Sequence, residues 1–346
     1  MTPKSRFNKS LPNAYFVDAT QIDELVAYLY QREWLTPAQT ITSVTRAGDG
    51  NMNLVLRVTL QDGTSFVLKQ ARPWAEKYPS VAAPAERSEV EAEYYRRTAT
   101  EPAIAACSPR LLQADAESHI LMLEDLGQAA DLSSLYQQNQ SLDDNTLGKL
   151  VDYLATLHRH FRQPDCSFEI SNRAMRELNA EHIFRFPFSA DTGFDLDAVT
   201  PGLAAIAESC RTDVSLMARI RSLEQRYLAD GNTLLHGDFF PGSILQTASG
   251  IKVIDPEFCF FGDAEFDVGV LLAHLKLGAQ PQAQIEAALR RYLASATIGF
   301  SSSRCWHYAG VEILRRLLGL AQLPLQLDLD AKRALVDTAR DWLLRD

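Results

Sequence analysis

The chain has 346 residues, of which 46% are apolar and 9% aromatic, and its formal net charge at pH 7 is −10. This composition can fill a substantial core, yet no stretch reaches the 18 or more continuous apolar residues that a membrane span needs. The acidic charge and the absence of a long Lys/Arg run argue against a nucleic-acid partner.

The cysteines and the opening residues indicate a cytoplasmic protein. Five cysteines are scattered along the chain without a CxxC pair, which disfavours both a disulfide framework and a zinc site. The opening MTPKSRFNKS is basic but lacks a following apolar stretch, so no secretory signal is expected.

The first part of the chain predicts a small antiparallel sheet with packed helices. Helical spacing over 20–35 gives way to alternating apolar and polar residues rich in Val, Leu and Thr, and good helix formers follow at 85–99. The predicted strands lie near 40–47, 52–60, 64–71, 110–114 and 118–124.

The second part predicts a helical domain. From residue 142 onward apolar residues recur at helical spacing, and only the region 233–256 interrupts this pattern with short strands. We therefore predict an α+β fold with an N-terminal domain at 1–125 and a C-terminal domain at 126–346, the segment 127–141 acting as linker. Ligands tend to bind in the cleft between such domains.

The turn Gly48-Asp49-Gly50-Asn51 joins the first two predicted strands. These residue types form tight turns easily, so a plain hairpin turn explains them. The functional interpretation is a flexible turn whose backbone amides approach the phosphates of a nucleotide.

Lys69 lies in the apolar strand FVLKQ, about twenty residues after the glycine turn. Its amine is either solvated on the polar face or binds phosphate while a carboxylate of the next helix holds it. Glu89, Glu91 and Glu93 all lie on that helix, and spacing alone does not choose between them.

The stretch LMLEDLG resembles a strand that leaves the core. A simple strand end explains it, and the functional interpretation is a hinge. In a hinge, backbone groups near Glu124 and Leu126 would pair with the edge of an adenine.

The strongest signal is the pair of stretches HGDFFPGSI and KVIDPEF. Asp238 lies on a tight loop bounded by Gly and Pro, and Ser243 follows five residues later. Alternation across a proline would point the carboxylates of Asp255 and Glu257 to the same side. Hard oxygen ligands suit magnesium, which leaves Asp238 to deprotonate a hydroxyl. Solvated turn carboxylates are the other explanation.

Two adjacent cations, Arg315 and Arg316, interrupt the apolar stretch VEILRRLLGLAQLPL. Burying two cations is unfavourable unless an anion neutralises them, which favours either a bound anion or a structural ion pair. Since adjacent residues are about 100° apart on a helix, we do not expect the two to share one partner equally.

The order of these motifs resembles that of the aminoglycoside phosphotransferases, and within that family of the S-methyl-5-thioribose kinases. The resemblance rests on GDGNMNLVLRV, FVLKQARPW, RSEVE, MLEDL, HGDFFPGSI, VIDPEFCFFGDAEFDVG and EILRRLLGLA, from about residue 45 to 325. It implies a protein-kinase-like two-lobed fold with ATP and Mg²⁺ as cofactors. One departure is Phe240, where those kinases usually carry His.

The resemblance also implies roles for single residues. Lys69 would bind the nucleotide phosphates and pair with Glu91, and Asp238 would be the catalytic base. The implied magnesium ligands are Asp255, Glu257 and Ser243, and the implied substrate contacts are Asp238, Arg315 and Arg316. The decisive expectation is that the acids at 238, 255 and 257 converge around one divalent cation.

Together these features predict a kinase that phosphorylates a hydroxyl of a small molecule, with a methylthioribose-like sugar as the leading substrate. The alternatives are a kinase for another small alcohol, such as an aminoglycoside, a choline-like alcohol or a glycated amine, and a catalytically silent nucleotide-binding module. We expect neither nucleic acid nor membrane as a partner, and a homodimer is compatible with the sequence.

Overall fold

A computed structural model describes residues 2–48, 50–165, 169–295 and 299–345 of the chain. The chain divides into two compact units, Met1–Gln128 and Ala129–Asp346. The N-terminal unit contains an antiparallel sheet and the C-terminal unit is mainly helical, so the predicted α+β class is confirmed.

The N-terminal unit is built on a five-stranded sheet in the order β1-β2-β3-β5-β4, with antiparallel neighbours throughout. Its elements are α1 (Pro3–Ser10), α2 (Ile22–Gln31), β1 (Ile41–Arg46), β2 (Asn53–Leu60), β3 (Ser65–Ala71), α3 (Arg87–Thr98), α4 (Pro102–Ala105), β4 (Leu111–Asp115) and β5 (Ile120–Glu124).

The alternation of the strands decides which face of this sheet is buried. Leu56, Val58 and Leu68 are nearly inaccessible, and they form one core with Leu25 and Leu29 of α2. Removing apolar side chains from water in this way is the main force that holds a sheet against a helix. The core fixes β3 in the centre of the sheet, between β2 and β5.

The C-terminal unit combines short strand pairs with helices. Its elements are β6 (Ala130–Asp131), α5 (Asp144–His160), α6 (Arg173–Ala180), α7 (Leu196–Val199), α8 (Leu203–Arg211), α9 (Val214–Leu228), β7 (Thr233–Leu235), β8 (Ile244–Thr247), β9 (Gly250–Val253), β10 (Phe260–Gly262), α10 (Ala264–Leu277), α11 (Gln282–Ser295), α12 (Ser302–Leu318) and α13 (Leu329–Leu344), with one turn of π-helix at Glu181–Arg185.

Two of these helices are buried almost all round. α10 lies against α12, and Gly269 of α10 brings its backbone close to Cys305 and Tyr308. A side chain at Gly269 would press on that backbone, so glycine permits the close approach. A helix that is apolar on all sides belongs in a core, and the polar residues on these two helices therefore lie in a dry environment.

The predicted linker at 127–141 is wrong for most of its length. β6 pairs with β8, and a 3₁₀-helix follows at Leu132–Tyr136. Leu132, Leu135 and Tyr136 are buried in the C-terminal unit, so this segment is part of its core. Within the described ranges, no helix is long and apolar enough to cross a membrane.

Candidate active site

Asp238 lies on a short loop between β7 and a 3₁₀-helix at Pro241–Ser243. Gly237, just before it, has a φ of +84°, and a Cβ atom there would collide with the carbonyl of Phe258. Only glycine combines that backbone conformation with so close an approach. The HGD loop and the segment after β9 are therefore packed backbone against backbone.

The buried carboxylate of Asp267 fixes the backbone of this loop. Asp267 of α10 accepts hydrogen bonds from the backbone amides of His236 at 2.7 Å and Gly237 at 2.9 Å. His158 Nε2 lies 3.2 Å from the same carboxylate. Because Asp267 is fully buried, these charge-assisted bonds are shielded from water and fix the loop firmly.

Two further hydrogen bonds tie the HGD loop to the acidic segment. The amide of Ile254 donates to the carbonyl of Ser243 at 2.9 Å, and His236 Nε2 lies 3.0 Å from the Ile254 carbonyl. The structure thus brings the two motifs together, as the sequence suggested. The acidic pair follows directly, in Asp255 and Glu257.

The expected strand alternation across Pro256 is wrong. β9 ends at Val253, Asp255 has a left-handed φ of +62°, and Pro256–Phe258 forms a 3₁₀-helix. The two carboxylates are therefore placed by a tight turn rather than by a strand. Glu257 is buried, and Asp255 is half-buried.

The expected convergence of three acids on one cation is also wrong. In the described part of the chain, no group of three or more His, Cys, Asp or Glu side chains is placed to hold a metal ion. Asp238 instead faces Arg316. The donors left for a cation are the carboxylates of Asp255 and Glu257 and the hydroxyl of Ser243. This hard-oxygen set fits Mg²⁺, which usually keeps waters and substrate phosphates as its other ligands.

The environment of Asp238 makes its carboxyl a stronger base than an ordinary aspartate. Burial raises its pKa to about 6, and the negative charges of Glu312 and Glu257 act in the same direction. Arg316 and Arg315 oppose the rise, since their positive charges stabilise the carboxylate. A pKa near the working pH is what a general base requires.

Both arginines of α12 share one carboxylate. Arg316 Nε donates to Glu312 Oε1 at 2.6 Å, and Arg315 Nη1 donates to Glu312 Oε2 at 3.1 Å. The sequence predicted that they would not share one partner equally; both bind Glu312, at different distances, because Glu312 lies three and four residues earlier and both positions face it. Arg316 Nη2 also lies 3.7 Å from Asp238 Oδ1.

In the N-terminal unit, Lys69 pairs with one glutamate of α3. Lys69 Nζ is 2.6 Å from Glu91 Oε2, and both side chains are almost fully buried. Glu89 instead approaches His119 at 3.2 Å, and Glu93 approaches Arg97 at 3.4 Å. The structure therefore selects Glu91 as the partner of Lys69.

The predicted glycine turn joins β1 to β2. A Cβ atom at Gly48 would meet nothing within 4 Å, and at Gly50 nothing nearer than 3.8 Å. Packing therefore does not demand glycine here, and the space above the turn is open. Asn51 is exposed, and Asp49 lies outside the described residues.

The predicted hinge begins at the end of β5. The Glu124 amide donates to the carbonyl of Arg110, so that amide is already used within the unit. Leu126 makes no backbone hydrogen bond to another described residue. The role of Glu124 and Leu126 toward a nucleotide stays a prediction.

Sequence reasoning missed four residues that organise the site: Asp267, Glu312, His274 and Tyr136. His274 Nε2 lies 3.1 Å from Glu312 Oε1, and Tyr136 Oη lies 2.6 Å from His274 Nδ1. Two of the four had a readable signal: Asp267 lies in the motif VIDPEFCFFGDAEFDVG, and Glu312 stands three and four positions before the two arginines on one helix.

Comparison with known proteins defines the class of the fold. The structure resembles that of a choline/ethanolamine kinase family protein from Mesorhizobium loti, with a TM-score of 0.54 at 18% identity, covering 94% of this chain and 95% of that chain. This confirms the predicted protein-kinase-like fold. The sequence profile of the phosphotransferase enzyme family matches residues 43–306, so the chain belongs to that family.

Two relatives carry the name methylthioribose kinase. The protein from Erwinia tasmaniensis is 27% identical over 359 residues, which covers 87% of this chain and 86% of that protein. The protein from Pectobacterium atrosepticum is 29% identical over 273 residues, covering 74% of this chain but only 65% of the relative, less than two thirds of its length. The prediction of a phosphotransferase is confirmed, and membership of the family implies in general a nucleotide phosphoryl donor and a divalent metal.

Substituting Asp267 by Asn should destabilise the C-terminal unit. The asparagine side chain keeps the shape of aspartate but loses its negative charge. Its NH₂ group would face N–H donors, such as the backbone amides of His236 and Gly237. Leaving a buried donor unsatisfied costs about 1–3 kcal/mol, which urea denaturation can measure. Asp152→Asn is the matched control, because that aspartate pairs with Arg291 on the exposed surface. Equal unfolding midpoints for the two variants would contradict the role given to Asp267.

Proposed function

We propose that this protein is an ATP- and Mg²⁺-dependent kinase that transfers the γ-phosphoryl group to a hydroxyl of a methylthioribose-like sugar. The observation that carries the proposal is Asp238, a half-buried carboxylate on a loop fixed by Asp267, which faces Arg316 at 3.7 Å. The names of the two relatives support the sugar.

The reaction is one of proton removal and phosphoryl transfer. Asp238 accepts the proton of the sugar hydroxyl as its oxygen bonds to the γ-phosphorus, and the bond from that phosphorus to the bridging oxygen breaks to release ADP. Lys69, held by Glu91, would bind the phosphates of the nucleotide. Arg316 offsets the charge that spreads over the transferred group.

Asp255, Glu257 and Ser243 would hold the magnesium ion. When bound, the ion neutralises part of the phosphate charge. The protein itself contributes position more than covalent chemistry, because most of the catalysis of phosphoryl transfer comes from alignment and electrostatics.

The local charge balance favours a neutral substrate. Arg315 and Arg316 contribute two positive charges, and Glu312 and Asp238 contribute two negative charges, so the cluster is neutral when Asp238 is ionised. A cluster of zero net charge offers an ammonium group no net attraction, unlike a site with an excess of carboxylates. This supports a sugar over the cationic aminoglycosides and choline-like alcohols.

The glycine turn at 48–51, with Gly48, Asp49, Gly50 and Asn51, and the hinge at Glu124 and Leu126 complete the proposed nucleotide contacts. A cytoplasmic location belongs to the same proposal, as does the possibility of a homodimer. Neither is needed for the chemistry at Asp238.

A substrate panel tests the proposal directly. ADP release should be measured with methylthioribose, ribose, an aminoglycoside, choline and a glycated amine at equal concentrations. We expect kcat/KM for methylthioribose to exceed that for ribose at least about tenfold, because an apolar group in a fitting pocket is worth that much. Highest activity on a cationic substrate would overturn the sugar assignment, and Mg²⁺-dependent ATP binding without transfer would favour a silent module.

Substituting Asp238 by Asn should lower kcat at least about a hundredfold, the lower range for loss of general acid–base catalysis. ATP affinity, measured by calorimetry, should be largely retained, since the carboxylate is assigned to the hydroxyl and not to the nucleotide. Asp152→Asn is again the control, with activity expected near that of the unaltered protein. Near-normal turnover by the Asp238 variant would remove it from the role of base.

The pH profile should show an acid limb set by Asp238. The carboxyl must be ionised to accept a proton, so kcat/KM should fall about tenfold per pH unit below its pKa of about 6. Arg316→Met removes a cation that stabilises the carboxylate, and the limb should therefore move to higher pH. If the acid limb of the Arg316→Met variant stays at the same pH, a group other than Asp238 controls it.

A further inference from the structure

A chain of buried hydrogen bonds runs from Tyr136 to Arg316. Tyr136 Oη lies 2.6 Å from His274 Nδ1, His274 Nε2 lies 3.1 Å from Glu312 Oε1, and the same oxygen accepts from Arg316 Nε at 2.6 Å. Each of these four side chains is at most 7% exposed. Bonds in such a dry environment are strong and directional.

The chemistry of the partners decides where the protons lie. Burial favours a neutral His274 and lowers its pKa to about 4, although the hydrogen bond to Glu312 acts against this. Burial alone would raise the pKa of Glu312, but the two arginines outweigh it and keep the carboxylate ionised. An ionised carboxylate only accepts, so His274 donates through Nε2–H and accepts from Tyr136 at Nδ1.

The other sides of the Arg316 guanidinium are also occupied. It lies 4.8 Å from the centre of the Phe240 ring, and that ring lies 5.4 Å from the ring of His274. Gly242 makes room, because a Cβ atom there would be 2.6 Å from the Phe240 ring. Nη1 points to the carbonyl of Ala321 at 3.4 Å, which leaves Nη2 turned to Asp238.

We propose that Tyr136, His274 and Glu312 are positioning residues that hold the Arg316 guanidinium in a single orientation beside Asp238. The proposal rests on the proposed function, in which those two groups meet the reacting atoms. The carboxylates of Glu312 and Asp238 balance the charge of the two arginines without Tyr136 or His274. Tyr136 and His274 add direction, because a donor fixed on Oε1 sets the plane of the carboxylate that both arginines share.

The first test removes one oxygen atom. Tyr136→Phe should lower kcat roughly fivefold, as expected for one internal hydrogen bond, with the KM for ATP unchanged. Tyr308→Phe is the matched control, because Tyr308 is equally buried on α12 but its hydroxyl approaches Asp263 at 3.5 Å. Both variants should lose similar thermal stability, and only the first should lose turnover.

A double-mutant cycle separates positioning from a general effect on folding. If Tyr136 acts through Arg316, adding Tyr136→Phe to Arg316→Met should change kcat no further. Additive losses would overturn the proposal, as would an unchanged kcat in the single Tyr136 variant.

Two substitutions of His274 form a second matched pair. Gln places its amide nitrogen near the position of Nε2 and can still donate to Glu312, whereas Asn places it near Nδ1 and cannot. His274→Asn should lower kcat at least about tenfold, the effect of losing a hydrogen bond to a charged group, and His274→Gln should restore most of it. Equal losses of kcat in the two variants would contradict the positioning role of this hydrogen-bonded chain.

One measurement needs no substrate. Nitrogen-15 chemical shifts of the His274 ring should show the Nε2–H tautomer, and the opposite tautomer would overturn the proposal whatever the enzyme phosphorylates. A protein that turns over none of the sugars would instead refute the proposed function. A crystal structure of His274→Asn would then still test the positioning role of the hydrogen-bonded chain, since Arg316 should turn away from Asp238.

Discussion

Two arginines buried side by side on α12 depend on a single carboxylate, that of Glu312. Two unpaired guanidinium groups would be prohibitively unfavourable in so dry a place. One oxygen of Glu312 binds each arginine, and the cluster still carries a net positive charge until Asp238 is added. The position of Asp238 is therefore tied to the same electrostatic requirement that makes α12 stable, which links the stability of the core to the chemistry at the surface of the loop.

Two similar arrangements converge on the loop that carries Asp238. On one side, Tyr292 Oη lies 2.8 Å from His158 Nδ1, and His158 binds Asp267, which holds the loop backbone. On the other side, Tyr136 and His274 bind Glu312, which holds Arg316. In both, a histidine lies between a tyrosine and a carboxylate, and it would fix the plane of an acid that has several partners. Buried hydrogen-bonded networks of this kind favour one arrangement of the core.

Much of the fold could be read from the sequence, and the reasons are local. Each predicted strand of the N-terminal sheet lies within two residues of an observed one, because alternation and turn residues report directly on a half-buried sheet. The segment 127–141 misled because its polar composition hides Tyr136, whose burial depends on α10 and not on its neighbours in sequence. The turn at Asp255 could not be predicted for another reason: a single left-handed residue before a proline produces no periodic pattern of apolar residues.

The residue types of the candidate site could be predicted from the sequence, but the pairing of their side chains could not. Spacing left Glu89, Glu91 and Glu93 open, and only the packing of α3 on β3 selects Glu91. His274 gave no signal at all, because a histidine in an apolar helix is as compatible with a silent core as with a hydrogen-bonded chain. Tertiary contacts decide such cases, and a single sequence does not contain them.

The distance from Arg316 to Asp238 matters as much as the pairing itself. At 3.7 Å the two charges attract, but no hydrogen bond joins Nη2 to Oδ1. A direct bond would stabilise the carboxylate further and lower its pKa, which would make Asp238 a weaker base. It would also occupy an acceptor oxygen that the hydroxyl of the proposed substrate needs. Glu312 and Phe240 hold the guanidinium back, and Asp238 therefore keeps the basicity and the accessible oxygen that the proposed role of proton acceptor requires.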